Sequence, residues 1–180
     1  MQKNRITILS GENVSGIGQE IYNGLINTGR DIKHISLENT DIKPCYACRS
    51  CETKTYLRCI VRDNADIILP YLAQSGTIII VTQIVYGSYS LQVKRVLDKI
   101  ALLIDTHYGF KNGELIKGAK PAGVQFYAVG VHHHASGEEI AAFQYLINEL
   151  IKIANWDGKP IVVPIGSPDI NSIIKEIGYE

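Results

Sequence analysis

The chain carries no net charge, because Lys and Arg number 18 and Asp and Glu also number 18 among its 180 residues. Such a balance supplies no field to gather a polyanion, so neither nucleic acid nor an acidic membrane surface is expected as a partner. No apolar run reaches the length of a membrane-spanning helix. Met1 to Arg5 leads directly into a short apolar stretch, so no signal peptide is expected. Internal repeats and low-complexity tracts are missing as well. Most of the chain also lacks cysteine: all four fall between residues 45 and 59. Secreted disulfide scaffolds disperse their cysteines, so this clustering argues against one. Together these absences predict a cytoplasmic protein. The remaining composition, 46% hydrophobic and 20% charged, is that of a globular chain long enough for a full core. Residues 1–180 are expected to form a single domain.

The cysteine stretch reads P-C-Y-A-C-R-S-C-E-T-K-T-Y-L-R-C from Pro44, so Cys45, Cys48, Cys51 and Cys59 are spaced C-x2-C-x2-C-x7-C. Thiolates two residues apart in an irregular loop can converge on one soft metal centre. Four of them without an interleaved histidine suit an iron–sulfur cluster or an all-cysteine zinc site. Structural zinc sites more often pair two separated C-x2-C knuckles, whereas three evenly spaced thiols and a distant fourth are closer to ferredoxins. Four reduced thiols without a ligand are the competing reading.

Elsewhere the chain alternates strand and helix patterns. Arg5 to Leu9 is an apolar, β-branched strand. The glycine-containing turn from Ser10 to Gly18 follows, then a helix with Ile17, Ile21 and Leu25 on one face. Such a turn presents backbone N–H groups at the positive end of a helix dipole, where a phosphate can sit; a tight turn for packing is the plainer reading. Asp31 to Leu37 is a second strand, with His34 read as a strand-face residue. Asp63 is placed as an N-cap, with Asp66 supporting the dipole, for a helix over 64–74 that Pro70 shortens or kinks. Thr77 to Thr82 is an uninterrupted apolar run, as in a parallel strand covered on both faces. It delivers the loop Gln83, Ile84, Val85, Tyr86, Gly87, Ser88, and Ser90 caps the next helix. Phe110 to Lys120 reads as a polar surface excursion. Pro121 to Val129 is a fourth strand, Gly130 to Gly137 a loop, 138–155 a helix, and Lys159 to Val163 a fifth strand; a short helix ends the chain. His132, His133 and His134 alternate sides if extended, so they do not form one metal site. Five strand–helix alternations give a doubly wound parallel sheet, whose ligands bind beyond the carboxyl ends of the strands.

These residues carry a family resemblance over about Ile6 to Leu150. Ile42-Lys43-Pro44-Cys45-Tyr46-Ala47-Cys48 with Cys51 and Cys59-Ile60-Val61-Arg62-Asp63 is one part. Tyr86-Gly87-Ser88-Tyr89-Ser90 with Lys94 and Asp98 is another, and Gly113 to Ala122 (G-E-L-I-K-G-A-K-P-A) is a third. In this order they resemble the NADPH-dependent FMN reductase family of flavodoxin-like proteins, and within it the iron–sulfur flavoproteins. The resemblance implies a flavodoxin-like three-layer sandwich with a five-stranded parallel sheet of order 2-1-3-4-5. It implies FMN with its phosphate at Ser10, Ser15, Gly16, Ile17 and Gly18, and its ring against Gln83, Ile84, Val85, Tyr86, Gly87 and Ser88. The loop of Gly130, His132 and Gly137 would close the third side. Cys45, Cys48, Cys51 and Cys59 would hold a [4Fe-4S] cluster relaying single electrons. The stretch S-G-E-N-V-S-G-I-G departs from the relatives' G-S-P-R-x-x-G-N-T: the arginine is missing and Glu12 brings a negative charge.

The function implied is an FMN-dependent oxidoreductase moving electrons from NAD(P)H or another reduced donor to a small-molecule or protein acceptor. A homodimer or homotetramer is implied as well. Two alternatives remain open: a flavodoxin-like domain that has lost FMN and serves as a metal-binding or thiol-redox sensor, and a one-electron carrier without a substrate pocket.

Overall fold

The computed structural model describes residues 4–55, 58–104, 107–117, 123–166 and 168–178, without the side chains of Ser15 and Ala101. The Ser15 hydroxyl, the stretch 118–122 and the expected strand start at Pro121 therefore lie outside the described residues.

Five parallel strands make the central sheet: β1 (Arg5–Ser10), β2 (Asp31–Ser36), β3 (Thr77–Val85), β7 (Gln125–His132) and β8 (Asp157–Pro164). Their order is β2-β1-β3-β7-β8, the 2-1-3-4-5 arrangement expected of a flavodoxin-like sheet. Burial on both faces explains the uninterrupted apolar strands. In β3, Ile78 and Ile80 point to one face and Ile79 and Val81 to the other, because successive side chains alternate. The first face is covered by α3 (Ala65–Ala73), α4 (Leu91–Leu97) and α5 (Gly137–Ile153). The second is covered by α1 (Ser15–Leu25) and α6 (Ile170–Ile177). This is the expected three-layer sandwich. Ile17, Ile21 and Leu25 fall on the buried stripe of α1, as their spacing predicts.

Several boundaries differ from expectation. β3 continues through Gln83, Ile84 and Val85 and turns back into the two-residue β4 (Ser88–Tyr89). Tyr86 and Gly87 form the turn, with φ of 50° and 73°; positive φ at both central residues matches the strand twist. Gly130 lies inside β7, not in a loop. The strand runs from Gln125 to His132, so the loop starts only there. The polar excursion is in part an antiparallel hairpin of β5 (Tyr108–Lys111) and β6 (Glu114–Lys117). Within the cysteine stretch a short helix, α2, spans Ser50–Thr53. α3 runs through Pro70.

Candidate functional site

In this sheet order β1, β3 and β7 are neighbours, so the loops at their carboxyl ends are contiguous. The turn after β1 is fixed by the Gly11 amide donating to Val81 O at 2.8 Å. A Cβ on Gly11 would lie 2.6 Å from Ser90 Oγ, so glycine lets this loop touch the start of α4. At the start of α1 the N-cap position is Val14, which offers no side-chain oxygen, and the first turn has no acidic residue. The first intrahelical bond runs from the Gly18 amide to Val14 O. The amides of Gly16 and Ile17 precede it and have no intrahelical acceptor, which suits an anion.

Beneath this loop Ser10 Oγ is buried and bonds His34 Nε2 at 2.8 Å, while His34 Nδ1 meets Gln19 Oε1 at 3.2 Å. Burial holds the His34 ring below its ordinary pKa. Gly18 packs directly on this pair. The structure thus gives Ser10 a partner from β2 and leaves the backbone of Gly16 and Ile17 as the loop's open donors.

Glu12 has a role that its sequence position does not suggest. Its carboxylate accepts the Ser90 hydroxyl at 2.5 Å and the Gln92 amide at 3.1 Å. It therefore caps α4 from a different element. Ser90 occupies the N-cap position but makes no side-chain cap of its own. Gln92 Nε2 donates to Thr40 O at 3.0 Å, and Gln92 Oε1 is buried without a partner among the described residues.

At the ends of β3 and β7 a cleft of about 200 Å³ opens between Gln83 and Ile84 on one side and His132 to Ala135 and Glu139 on the other. Its volume is below the roughly 300–1,000 Å³ of sites that enclose a ligand. It can seat the edge of a ring, not a whole flavin. Val85 and Tyr86 stand beside it, Tyr86 93% exposed at the hairpin tip. Gly87 packs on α5, where a Cβ would come 2.8 Å from Ala142 Cβ. His132 Nδ1 accepts the Ala135 amide at 3.3 Å, which folds the loop back. Gly137 begins α5 behind a capping box of Ser136 and Glu139. Gly130 faces Phe143, whose ring a Cβ would meet at 2.6 Å; it serves packing on the α5 side.

The cysteines are free, Cys45 and Cys48 exposed, Cys51 and Cys59 half-buried. Ala47 and Arg49 take left-handed φ of 52° and 56°, so the backbone winds tightly between them. Hydrogen bonds from the Ser50 hydroxyl and amide hold the Cys48 thiol below its usual value. Burial pushes the Cys51 thiol up, and Glu52, Cys45 and Cys59 add to it. Among the described residues no three His, Cys, Asp or Glu side chains are gathered as a metal-ion ligand set. As placed, the four thiols share a segment without converging on one point.

No protein-family model matches the chain. Over 149 residues it is 26% identical to an iron–sulfur flavoprotein of Methanocaldococcus jannaschii, covering 81% of this chain and 70% of that one. A second relative, an iron–sulfur flavoprotein of Methanosarcina thermophila, is 26% identical over 84 residues, 47% of this chain and 43% of that one. The chain is similar to the iron–sulfur flavoproteins. The iron–sulfur flavoprotein resemblance read from the cysteine spacing and the Tyr86 to Ser90 loop is therefore found again by comparison over most of the chain. Solved structures share the fold at low identity. An FMN-dependent NADH-azoreductase of Bacillus anthracis, in complex with FMN, superposes with a TM-score of 0.62 at 12% identity, over 97% of this chain and 93% of that one. A flavodoxin of Pseudomonas aeruginosa gives 0.55 at 10% identity, over 95% and 91%. The fold is flavodoxin-like. No helix among the described residues is long and apolar enough to cross a membrane.

Proposed function

We propose that this chain is an FMN-binding oxidoreductase that moves electrons from NAD(P)H or another reduced donor to a small-molecule or protein acceptor. The observation that carries the reading is the uncapped start of α1 at the β1/β3 switch point of a flavodoxin-like sheet, flanked by the β3 and β7 loops. The flavoprotein names of the sequence relatives support it.

In this reading the backbone amides of Ser15, Gly16 and Ile17 receive the phosphate, while the Gly18 amide is spent on Val14 O and Ser10 and His34 hold the turn from below. The orphaned Gln92 Oε1 is an acceptor suited to a sugar-alcohol hydroxyl. The segment from Gln83 to Ser88 flanks the ring, and the cleft at His132 takes one edge of it. When bound, FMN supplies the redox chemistry, accepting hydride or single electrons. The chain binds, orients and partly shields it. The small cleft leaves most of a ring uncovered, and Tyr86, Phe110 and Leu115 are exposed apolar side chains. A second copy of the chain, in a homodimer or homotetramer, would supply the missing wall.

Cys45, Cys48, Cys51 and Cys59 are the proposed source of ligands for an iron–sulfur cluster. Spacing and the relatives' names support this; the ungathered side chains do not. The flavin-free alternative, a thiol or metal protein, draws on the Glu12 carboxylate beside the loop and on the accessible thiols. Flavin fluorescence titration of purified chain separates the readings. Saturable 1:1 quenching supports the oxidoreductase; unquenched FMN at high protein concentration, with zinc or a reversible disulfide at the cysteines, supports the alternative.

A further inference from the structure

The cysteine segment begins and ends at one carboxylate. Asp63 Oδ2 accepts the Lys43 amide at 2.8 Å, at the start of the segment, and Asp63 Oδ1 accepts the Ala65 amide at 2.8 Å, at the start of α3. A parallel tie joins the Asn64 amide to Asp41 O at 3.1 Å. The ends of residues 43–63 are thus held together at a neck. Into that neck comes Lys99, two residues beyond α4, whose Nζ donates to Asp63 Oδ2. Both side chains are only 1% exposed. A charge of either sign left here without the other would be strongly destabilising.

Lys99 is the far end of an element whose near end is already tied to the proposed cofactor loops. Glu12 holds the N-terminus of α4 through Ser90 and Gln92, and Gln92 also reaches Thr40 just ahead of the cysteine segment. α4 has seven residues, about 10 Å of helix. It therefore connects the loop after β1 to the neck of the cysteine segment by polar ties at both ends. The outer part of the segment has a separate tether, Lys117 to Glu52 at 3.1 Å, from the β5–β6 hairpin.

We propose that Asp63 and Lys99 are positioning residues for the cysteine segment: their buried pair closes its neck and sets its place against α4, and thereby against the loop after β1. The inference rests on the reading that the cysteine segment is functional, and it requires neither flavin nor cluster to be bound.

The test is amide hydrogen exchange on the full chain without added cofactor, comparing parent, Lys99→Met, and Lys99→Met combined with Asp63→Asn. The informative amides are Lys43, at the neck, and Glu52, Thr53, Lys54 and Thr55, which are hydrogen-bonded within the segment. In Lys99→Met their exchange should accelerate by about a hundredfold or more relative to amides of β3 and β7, the factor implied by losing one partner of a buried pair. The double variant removes the lone buried charge and should recover part of the global stability, although the Asn amide nitrogen can no longer accept one of the two backbone N–H groups. Its segment amides should stay fast, because the tether to α4 is still missing and one of the two amide ties at the neck is lost with it. If Lys99→Met does not fold, the double variant alone decides. Unchanged exchange in the segment, or an equal rise in β3 and β7, would overturn the proposal. Since the readout contains no flavin signal, its failure is distinct from failure to bind FMN.

Discussion

Replacing Gly18 by alanine probes how the loop after β1 is held. Gly18 lies within α1 and its backbone does not need glycine, so helix propensity alone would favour alanine by about 1 kcal/mol. The added Cβ, however, would stand 1.8 Å from Ser10 Oγ, 2.8 Å from His34 Nε2 and 3.1 Å from Ser10 Cβ. The hydroxyl can escape by changing rotamer, but only by giving up its 2.8 Å bond to His34. Ser10 is fully buried, so a hydroxyl left unpaired there costs about 1–3 kcal/mol. Residual crowding against Ser10 Cβ adds about 1–3 kcal/mol. Net of propensity, the variant should lose about 1–5 kcal/mol. At about 2–4 °C per kcal/mol for a chain of this size, the melting temperature should fall by at least a few degrees. Urea unfolding with an unchanged m-value measures the loss. Gly16→Ala is the control, because nothing lies within 4 Å of a Cβ there; it should be neutral or slightly stabilising. A Gly18→Ala chain as stable as Gly16→Ala would refute the packing of Ser10 and His34 under this loop.

Gly158→Ala should be among the most damaging single changes, because φ is +130° and a Cβ would meet Phe126 O at 1.9 Å; soluble yield and thermal melting report it. Glu12→Gln should tighten FMN binding severalfold by removing a negative charge near the phosphate, while weakening the cap on α4 by up to about 1 kcal/mol; fluorescence titration and urea unfolding read the two effects. Tyr86→Asn should leave stability unchanged, since the side chain is 93% exposed and Asn tolerates positive φ, yet weaken FMN binding if the ring lies at the hairpin tip. Two acid-sensitive steps are expected. His34 is held below its ordinary value by burial, so the unfolded chain takes up the proton first and stability declines as pH falls below about 6.5. At Asp63 burial favours protonation, but hydrogen bonds from Lys99 and from the Lys43 and Ala65 amides outweigh it and lower the pKa. Its contribution is therefore present above about 3.9 and lost as pH falls further. Urea midpoints measured across pH should show both steps, and replacing His34 should remove the upper one.

The sheet was legible because burial on both faces writes itself into the sequence as apolar runs such as Thr77 to Thr82, and the helices because Ile17, Ile21 and Leu25 or Phe143, Ile147 and Ile151 repeat at helical spacing. Boundaries were not. Gln83 to Val85 reads as loop, yet the two positive-φ residues Tyr86 and Gly87 extend the strand into a hairpin; Asn-Gly or Asp-Gly would have announced that turn, and Tyr-Gly does not. Gly130 reads as a loop residue and is instead the space that the Phe143 ring needs. At the site, loop positions followed from topology, but partners did not. Glu12 capping α4 spans 78 residues and Lys99 meeting Asp63 spans 36. A lone Glu in a turn and a Lys at a helix end carry no mark of such pairing until the chain is folded. His34 reads as a strand-face residue and proves to be the support beneath the loop.

The most direct test of the central claim is titration of FMN with the purified chain, followed by flavin fluorescence. Quenching should saturate at one flavin per chain, with a dissociation constant of about 1 μM or tighter, and binding should be weaker in Gly18→Ala. Full flavin fluorescence at about a hundredfold that protein concentration, from a chain that unfolds cooperatively, would contradict it.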